Sequence, residues 1–222
     1  MSCYICGQPE TSQEHAPARC FFPKGEVKGI LTKVDSCTAH NEDTSKDDEY
    51  VRNIIAMTIS NNEVALSHFL QSCVKSFIRS PKLLSATTKV RKRVYYKEKE
   101  NEDIKPTYAF QIDRDRIDLV MRKIAYATYF KKYGTPWNRE LAIGTEFLRH
   151  DGMDADDFGL LIQSAKKVLD RPTFEGTNPE VFKFSFLQTE SEDTNDQILV
   201  MQFYEGFEVW VFAQADTTGP QL

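Results

Sequence analysis

The 222-residue sequence contains no run approaching the roughly 20 apolar residues that cross a bilayer as a helix, so no membrane partner is expected. Its first residues, MSCYICGQPE, lack the basic and apolar regions of a secretory signal. Cysteine is sparse and odd in number, five in all, which does not read as a disulfide framework. In a reducing compartment such a set reads as metal ligands plus spare thiols, and a cytoplasmic location is expected. There is no internal repeat and no long low-complexity tract. An excess of positive charge is also missing: the net charge is −5, which does not favour nucleic-acid binding by the molecule as a whole.

What is present suits a real core: 41% hydrophobic and 12% aromatic residues, in a chain long enough for one large domain or a small module plus a larger one. The average charge hides an asymmetry. Residues 75–99 hold nine Lys/Arg (Lys75, Arg79, Lys82, Lys89, Arg91, Lys92, Arg93, Lys97, Lys99) against Glu98, a net of +8. Residues 151–222 hold four basic and fourteen acidic side chains, a net of −10. Screening confines such fields to about 8–10 Å, so a basic segment can meet phosphate on an acidic protein.

The pattern predicts an α+β fold. Residues 1–46 are rich in turn formers and poor in apolar periodicity. Ser45 is placed to cap a helix with Asp47, Asp48 and Glu49 in its first turn and Tyr50, Ile54, Ile55 and Ile59 inward. A second helix is expected over 63–79, with Leu66, Phe69, Leu70, Cys73 and Phe77 inward, ended by Pro81. Strands are expected at 90–96 and 107–112, joined by an acidic loop around 98–105. Ile117, Val120, Met121, Ile124, Ala125 and Thr128 mark an amphipathic helix ending near Gly134, and Phe158, Leu161, Ile162, Ala165 and Leu169 a shorter one. The tail carries VFKFSF, with Phe182, Phe184 and Phe186 on one face, and ILVMQFYEGFEVWVF, a hairpin turning at Gly206.

The strongest chemical signal is at the front. Cys3 and Cys6 form a C-x2-C knuckle, and Cys37 with His40 forms a C-x2-H knuckle after a 30-residue insertion. Zinc takes four such ligands in a tetrahedron, and a tight turn supplies two of them at once. The bland alternative leaves Cys3 and Cys6 as spare thiols. Cys20 and Cys73 fall outside the pattern and are expected to pack, and His68 and His150 are expected to be ordinary surface or core histidines. For Lys89, Arg91, Lys92 and Arg93, interleaved with Tyr95 and Tyr96, two readings stand. They are a phosphate-binding segment, or a strand edge whose lysines discourage pairing.

Cys3-x2-Cys6, Glu14-His15-x-Pro17, Phe21-Phe22-Pro23 and Cys37-x2-His40-Asn41 resemble the HNH nuclease superfamily with its ββα-metal core, over about residues 1–55. The resemblance implies a structural Zn2+ on Cys3, Cys6, Cys37 and His40. It implies His15 as general base, and Glu14 and Asn41 as ligands of a catalytic Mg2+ or Mn2+. It further implies phosphodiester hydrolysis, DNA ahead of RNA, in the manner of bacterial proteins that act on foreign DNA. Residues 1–60 would form the zinc-stapled module. Residues 61–222 would form an α+β domain with the basic segment 75–99 and the C-terminal β-hairpin. A homodimer or a regulatory partner protein stays open.

Two positions depart from the family pattern. The middle Asn that orients the catalytic histidine falls near Thr32 or Lys33, leaving Ser36 or a backbone carbonyl for that task, and His40 stands where cysteine is usual. The alternative reading is therefore a zinc-stabilised module that binds nucleic acid or protein without the reaction. A third reading makes the acidic C-terminal part the sensor of a ligand or partner that regulates the front.

Overall fold

A short antiparallel pair opens the chain. Strand β1 (Ser12–His15) pairs with β2 (Lys33–Ser36), with His15 opposite Lys33 and Ser12 opposite Ser36. Two 3-10 turns, Thr38–His40 and Glu42–Thr44, lead into helix α1 (Ser45–Ala56). This computed structural model describes residues 2–25, 29–97, 103–145, 155–169, 171–188 and 196–214, so His150 and most of the acidic loop 98–105 lie outside the described residues. The opening ββα order agrees with the α+β reading of the sequence, and the N-terminal part carries a group of residues able to hold zinc.

The second helix differs from its expected form. It begins as α2 (Glu63–His68), passes through a π-helical turn over Phe69–Cys73, and continues as α3 (Val74–Arg79). The wide turn shifts the register of the helix face. Ala65, His68, Cys73 and Phe77 are buried, while Leu66 and Leu70, expected inward, are each 59% exposed. Ile59, also expected inward, is 54% exposed because α1 has already ended at Ala56. Pro81 does not simply stop the chain. It is the first residue of α4 (Pro81–Thr88), whose Ser80 side chain accepts a bond from Leu83 N.

Strands β3 (Arg91–Lys97) and β4 (Ile104–Phe110) form a separate two-stranded antiparallel ribbon. Helix α5 (Arg114–Tyr133) follows, capped by Asp113 and closed by Gly134 in the left-handed region. Ten of its residues from Ile117 to Tyr129 are buried, nearly all round the helix, so it is the central helix of the fold and not a surface helix with one apolar stripe. It lies against one face of a five-stranded antiparallel sheet of order β5-β9-β8-β7-β6. The strands are β5 (Leu141–Gly144), β6 (Glu175–Asn178), β7 (Phe182–Leu187), β8 (Ile198–Phe203) and β9 (Phe207–Ala213); β5 and β6 were not expected from the sequence. Helix α6 (Ala155–Val168) covers the other face through Ile162.

Strand alternation explains the apolar tail. Leu199, Met201 and Phe203 of β8 and Phe207, Val209 and Val211 of β9 enter the main core, with the Phe182, Phe184 and Phe186 face of β7. Val200, Trp210 and Leu187 pack against Ile162 on the opposite side. A sheet covered on both faces needs near-continuous hydrophobic strands, which is why ILVM and VWVF read so strongly.

The β8–β9 turn has Tyr204 and Glu205 at positive φ, followed by Gly206. A Cβ on Gly206 would lie 2.1 Å from the Ser60 carbonyl oxygen, so only glycine lets the loop after α1 approach the hairpin. One main core runs from Tyr4 and Phe21 through α1 and α5 to the sheet.

Candidate metal centre and candidate active site

The knuckles meet as the spacing predicts. The ligand atoms of Cys3, Cys6, Cys37 and His40 all lie within 4.8 Å of one another. Cys3 Sγ is 3.4 Å and Cys37 Sγ 3.3 Å from His40 Nδ1, and Cys6 Sγ is 3.8 Å from Cys37 Sγ. A tetrahedron with Zn–S near 2.3 Å and Zn–N near 2.0–2.1 Å has edges of about 3.5–3.8 Å, so the group has the shape and donor set to bind zinc. Gly7, at φ 69°, closes the first knuckle with its N–H on the Cys3 carbonyl. Burial raises the Cys3 thiol, but the N–H groups of Cys6, Ile5 and Cys37 and the His40 ring outweigh it and bring the pKa down to about 6. A thiolate is the form a metal binds. Cys20, pushed up to about 12 chiefly by burial, and Cys73, fully buried, stay outside the group.

The expectation for Glu14 is corrected by its surroundings. Alternation along β1 sends Glu14 and His15 to opposite faces, and Glu14 is only 5% exposed. Its Oε2 accepts from the Tyr4 hydroxyl at 2.8 Å, and its Oε1 pairs with Lys123 Nζ of α5 at 2.7 Å. Lys123 also lies 3.3 Å from Asp48 Oδ2 and donates to Thr44 Oγ1. Burial raises the pKa of both Glu14 and Asp48, against the pull of the Lys123 ammonium. Both Glu14 oxygens are thus taken, and a cation already sits between the two carboxylates. This arrangement does not fit a catalytic Mg2+ or Mn2+ held by Glu14.

Asn41 precedes α1 by a full 3-10 turn. Its amide Nδ2 donates to Ser12 Oγ at 2.8 Å and lies 3.4 Å from the Gln13 carbonyl, tying this turn to β1. His15 is half-buried, with Lys33 opposite it in the β pair. Desolvation first, then Lys33 and Arg19, hold the His15 pKa below its ordinary value. No group among the described residues hydrogen-bonds the imidazole. Ser36, a candidate orienter, donates to the Cys37 carbonyl instead.

Lys89 ends α4, and Arg91, Lys92 and Arg93 stand exposed on the β3–β4 ribbon. Arg91 lies over the Tyr108 ring at 5.9 Å and Arg93 over Tyr95 at 5.7 Å. The ribbon is a cation–aromatic surface of the type that can meet phosphates and bases.

The chain matches no protein-family model, no curated protein and no solved structure.

Sequence reasoning missed Lys123, because a lysine amid Val120, Met121, Ile124 and Ala125 reads as the edge of an apolar stripe. The available signal was the uncharged run from Ile124 to Phe130 directly after it, which marks this part of the helix as deeply packed. His68, expected as an ordinary surface or core histidine, is a core one with a defined partner. Tyr204 gives its one hydroxyl proton to the Phe21 carbonyl, so it accepts from His68 Nδ1, 2.7 Å away. His68 is 1% exposed, and its pKa falls to about 4 through burial and then through Arg52.

This histidine carries a pH prediction. Between pH 6.5 and about 4 the unfolded chain binds a proton that native His68 refuses, so its contribution to stability is lost as pH falls through that window. The loss is about 3 kcal/mol in order of magnitude. Glu14 and Asp48, with raised pKa values, act in the opposite sense. The comparison is therefore between slopes: urea midpoints of wild type should fall more steeply from pH 6.5 to 4 than those of His68→Gln. Parallel curves would refute it.

Proposed function

We propose that this chain is a zinc-stapled HNH-type endonuclease hydrolysing phosphodiester bonds, with DNA ahead of RNA as substrate. The observation that carries the reading is the Cys3, Cys6, Cys37 and His40 group. It joins the turn before β1 to the turns before α1, in a ββα order that leaves His15 on the outward side of β1, within electrostatic reach of Lys33 and Arg19. In this reading the neutral imidazole of His15 takes the proton of the attacking water as the new P–O bond forms and the P–O bond to the leaving sugar oxygen breaks, solvent protonates that oxygen, and Lys33 and Arg19 neutralise the phosphate. No step is routed through a divalent ion, since Glu14 is bound to Lys123.

The test is cleavage of plasmid and of single-stranded DNA and RNA with Mg2+, with Mn2+ and with chelator, beside His15→Ala. The variant is expected to lose at least about 100-fold of the rate. Equal cutting by the variant, or none by wild type, would reject the nuclease.

The buried Lys123–Glu14 pair favours a second reading, in which the module keeps the family's fold and binds nucleic acid without cutting it. The same assay separates the two, because this reading expects binding with no cleavage under any metal condition.

A further inference from the structure

Beside the β1 end of the molecule lies a groove of about 1370 Å3 between the segment after β1 and the α2–α3 helix. Its rim carries Arg19, Lys24, Lys46, Lys75 and Arg79, and among the described residues Glu49 is the single acid in its lining. Glu49 is engaged already: its Oε1 accepts from Ser76 Oγ at 2.6 Å and lies 3.5 Å from both Arg52 and Arg79. Among the described residues Arg19, Lys24, Lys46 and Lys75 have no carboxylate partner. All four are exposed.

The lining also holds a buried cation. Arg52 lines the groove but is only 4% exposed. Its Nη2 bonds Ser76 Oγ at 2.9 Å, while its Nε–H is buried with no acceptor among the described residues. A guanidinium presents Nε and Nη as a fork matched to two oxygens of one phosphate, and here half of that fork has nothing to bind. A buried donor left unpaired is unfavourable, and an anionic oxygen would satisfy it.

The volume argues about the kind of anion. Small-molecule pockets hold about 300–1,000 Å3, and this groove is larger and open. Its cations are spread along it, not gathered at one point, and Phe22 and Ile78 contribute apolar surface between them. Spaced cations along an open groove are what the backbone of a nucleic-acid strand needs, with its phosphates on the rim. We infer that this groove, and not the β3–β4 ribbon, is the main binding track for a single nucleic-acid strand. It would anchor phosphates on Lys24, Lys46, Lys75 and Arg79, seat one on Arg52, and pass Arg19 toward His15. This deepens the nuclease reading and rests on it for the direction of the strand, although binding itself can be measured without cleavage.

The test uses the full chain carrying His15→Ala, so that bound strands survive, with fluorescein-labelled single-stranded DNA and RNA followed by anisotropy across a salt series. Lys46→Ala/Lys75→Ala in that background should weaken binding at least tenfold. It should also make the slope of log K against log salt shallower by about 1.4, the loss of two phosphate contacts on a single strand. Both lysines are exposed, so the fold should survive, and a circular dichroism melt checks it. Arg91→Ala/Arg93→Ala on the ribbon should change affinity less than threefold. Absence of binding to either strand, an unchanged slope in the groove variant, or a larger loss from the ribbon variant would overturn the groove. Binding that behaves as predicted while wild type cuts nothing would reject the nuclease and leave the groove standing.

Discussion

Replacing Cys37 with serine should abolish zinc retention and lower the melting temperature by about 10 °C or more. Purified wild type should carry about one zinc per chain, and Cys20→Ala should keep it, because Cys20 lies outside the ligand group. The size follows from what holds the first 44 residues. Their described residues form two four-residue strands and three single 3-10 turns, Arg19–Phe21, Thr38–His40 and Glu42–Thr44. Their apolar side chains, Tyr4, Ile5, Phe21, Phe22 and Val34, join a core built mainly by α1, α5 and the sheet. With so little regular structure, the four ligands are the main cross-link between residues 3–6 and 37–40. Structural zinc contributes about 10–16 kcal/mol of apparent binding energy in small zinc peptides, and most of that is folding energy. A loss of even about 4 kcal/mol would move the melting point of a chain this size by roughly 8–16 °C. Elemental analysis with differential scanning calorimetry makes the measurement. A zinc-free wild type with an unchanged melt, or a Cys37→Ser protein still holding one zinc, would refute the staple.

Replacing Lys123 with methionine should destabilise the protein by about 3–5 kcal/mol at pH 7. The side chain is 1% exposed and bridges two carboxylates that are themselves 5% and 6% exposed, so its removal leaves buried negative charge without compensation. The methionine fills similar volume, which isolates the charge from the packing. Acid should narrow the deficit. Without the ammonium the Glu14 and Asp48 pKa values rise further, so the variant's native state takes up protons at a higher pH than its unfolded state does. The gap to wild type should therefore shrink as pH falls from 7 toward 5. Adding Glu14→Gln and Asp48→Asn should recover much of the loss, since neutral amides carry no charge to bury. Urea unfolding of wild type, Lys123→Met and the triple variant decides it. A Lys123→Met variant as stable as wild type would mean that the pair is not what joins β1 and α1 to α5.

The legible parts of this protein were those where local chemistry dictates structure. Two knuckles at fixed spacing predicted one ligand group, because a tight turn brings residues three apart to one point whatever the rest of the chain does. The helix ending at Gly134 and the hairpin around Gly206 were legible for a similar reason, since the pattern of apolar residues and the turn glycine lie within a few residues of each other. The strands β5 and β6 were not legible. Each has four residues; β5 is defined by a neighbour far along the chain, Leu141 opposite Ala213, and β6, with the sequence EGTN, pairs locally with β7 but carries no apolar residue to mark it.

The site divided in the same way. Residue types and spacing alone identified Cys3, Cys6, Cys37 and His40 as a group able to bind zinc, because that chemistry is carried by the motif itself, whereas His15 entered as candidate base only through the resemblance to the HNH superfamily. The folded chain settled the fate of Glu14, since its partner Lys123 is 109 positions away in sequence and reaches it only because α5 runs beneath β1. It also assembled the groove from Arg19 of a 3-10 turn, Lys46 and Arg52 of α1 and Lys75 of α3, which form no motif. Electrostatic environment is a property of distance in space, and in this protein the distances that matter most close over long stretches of chain.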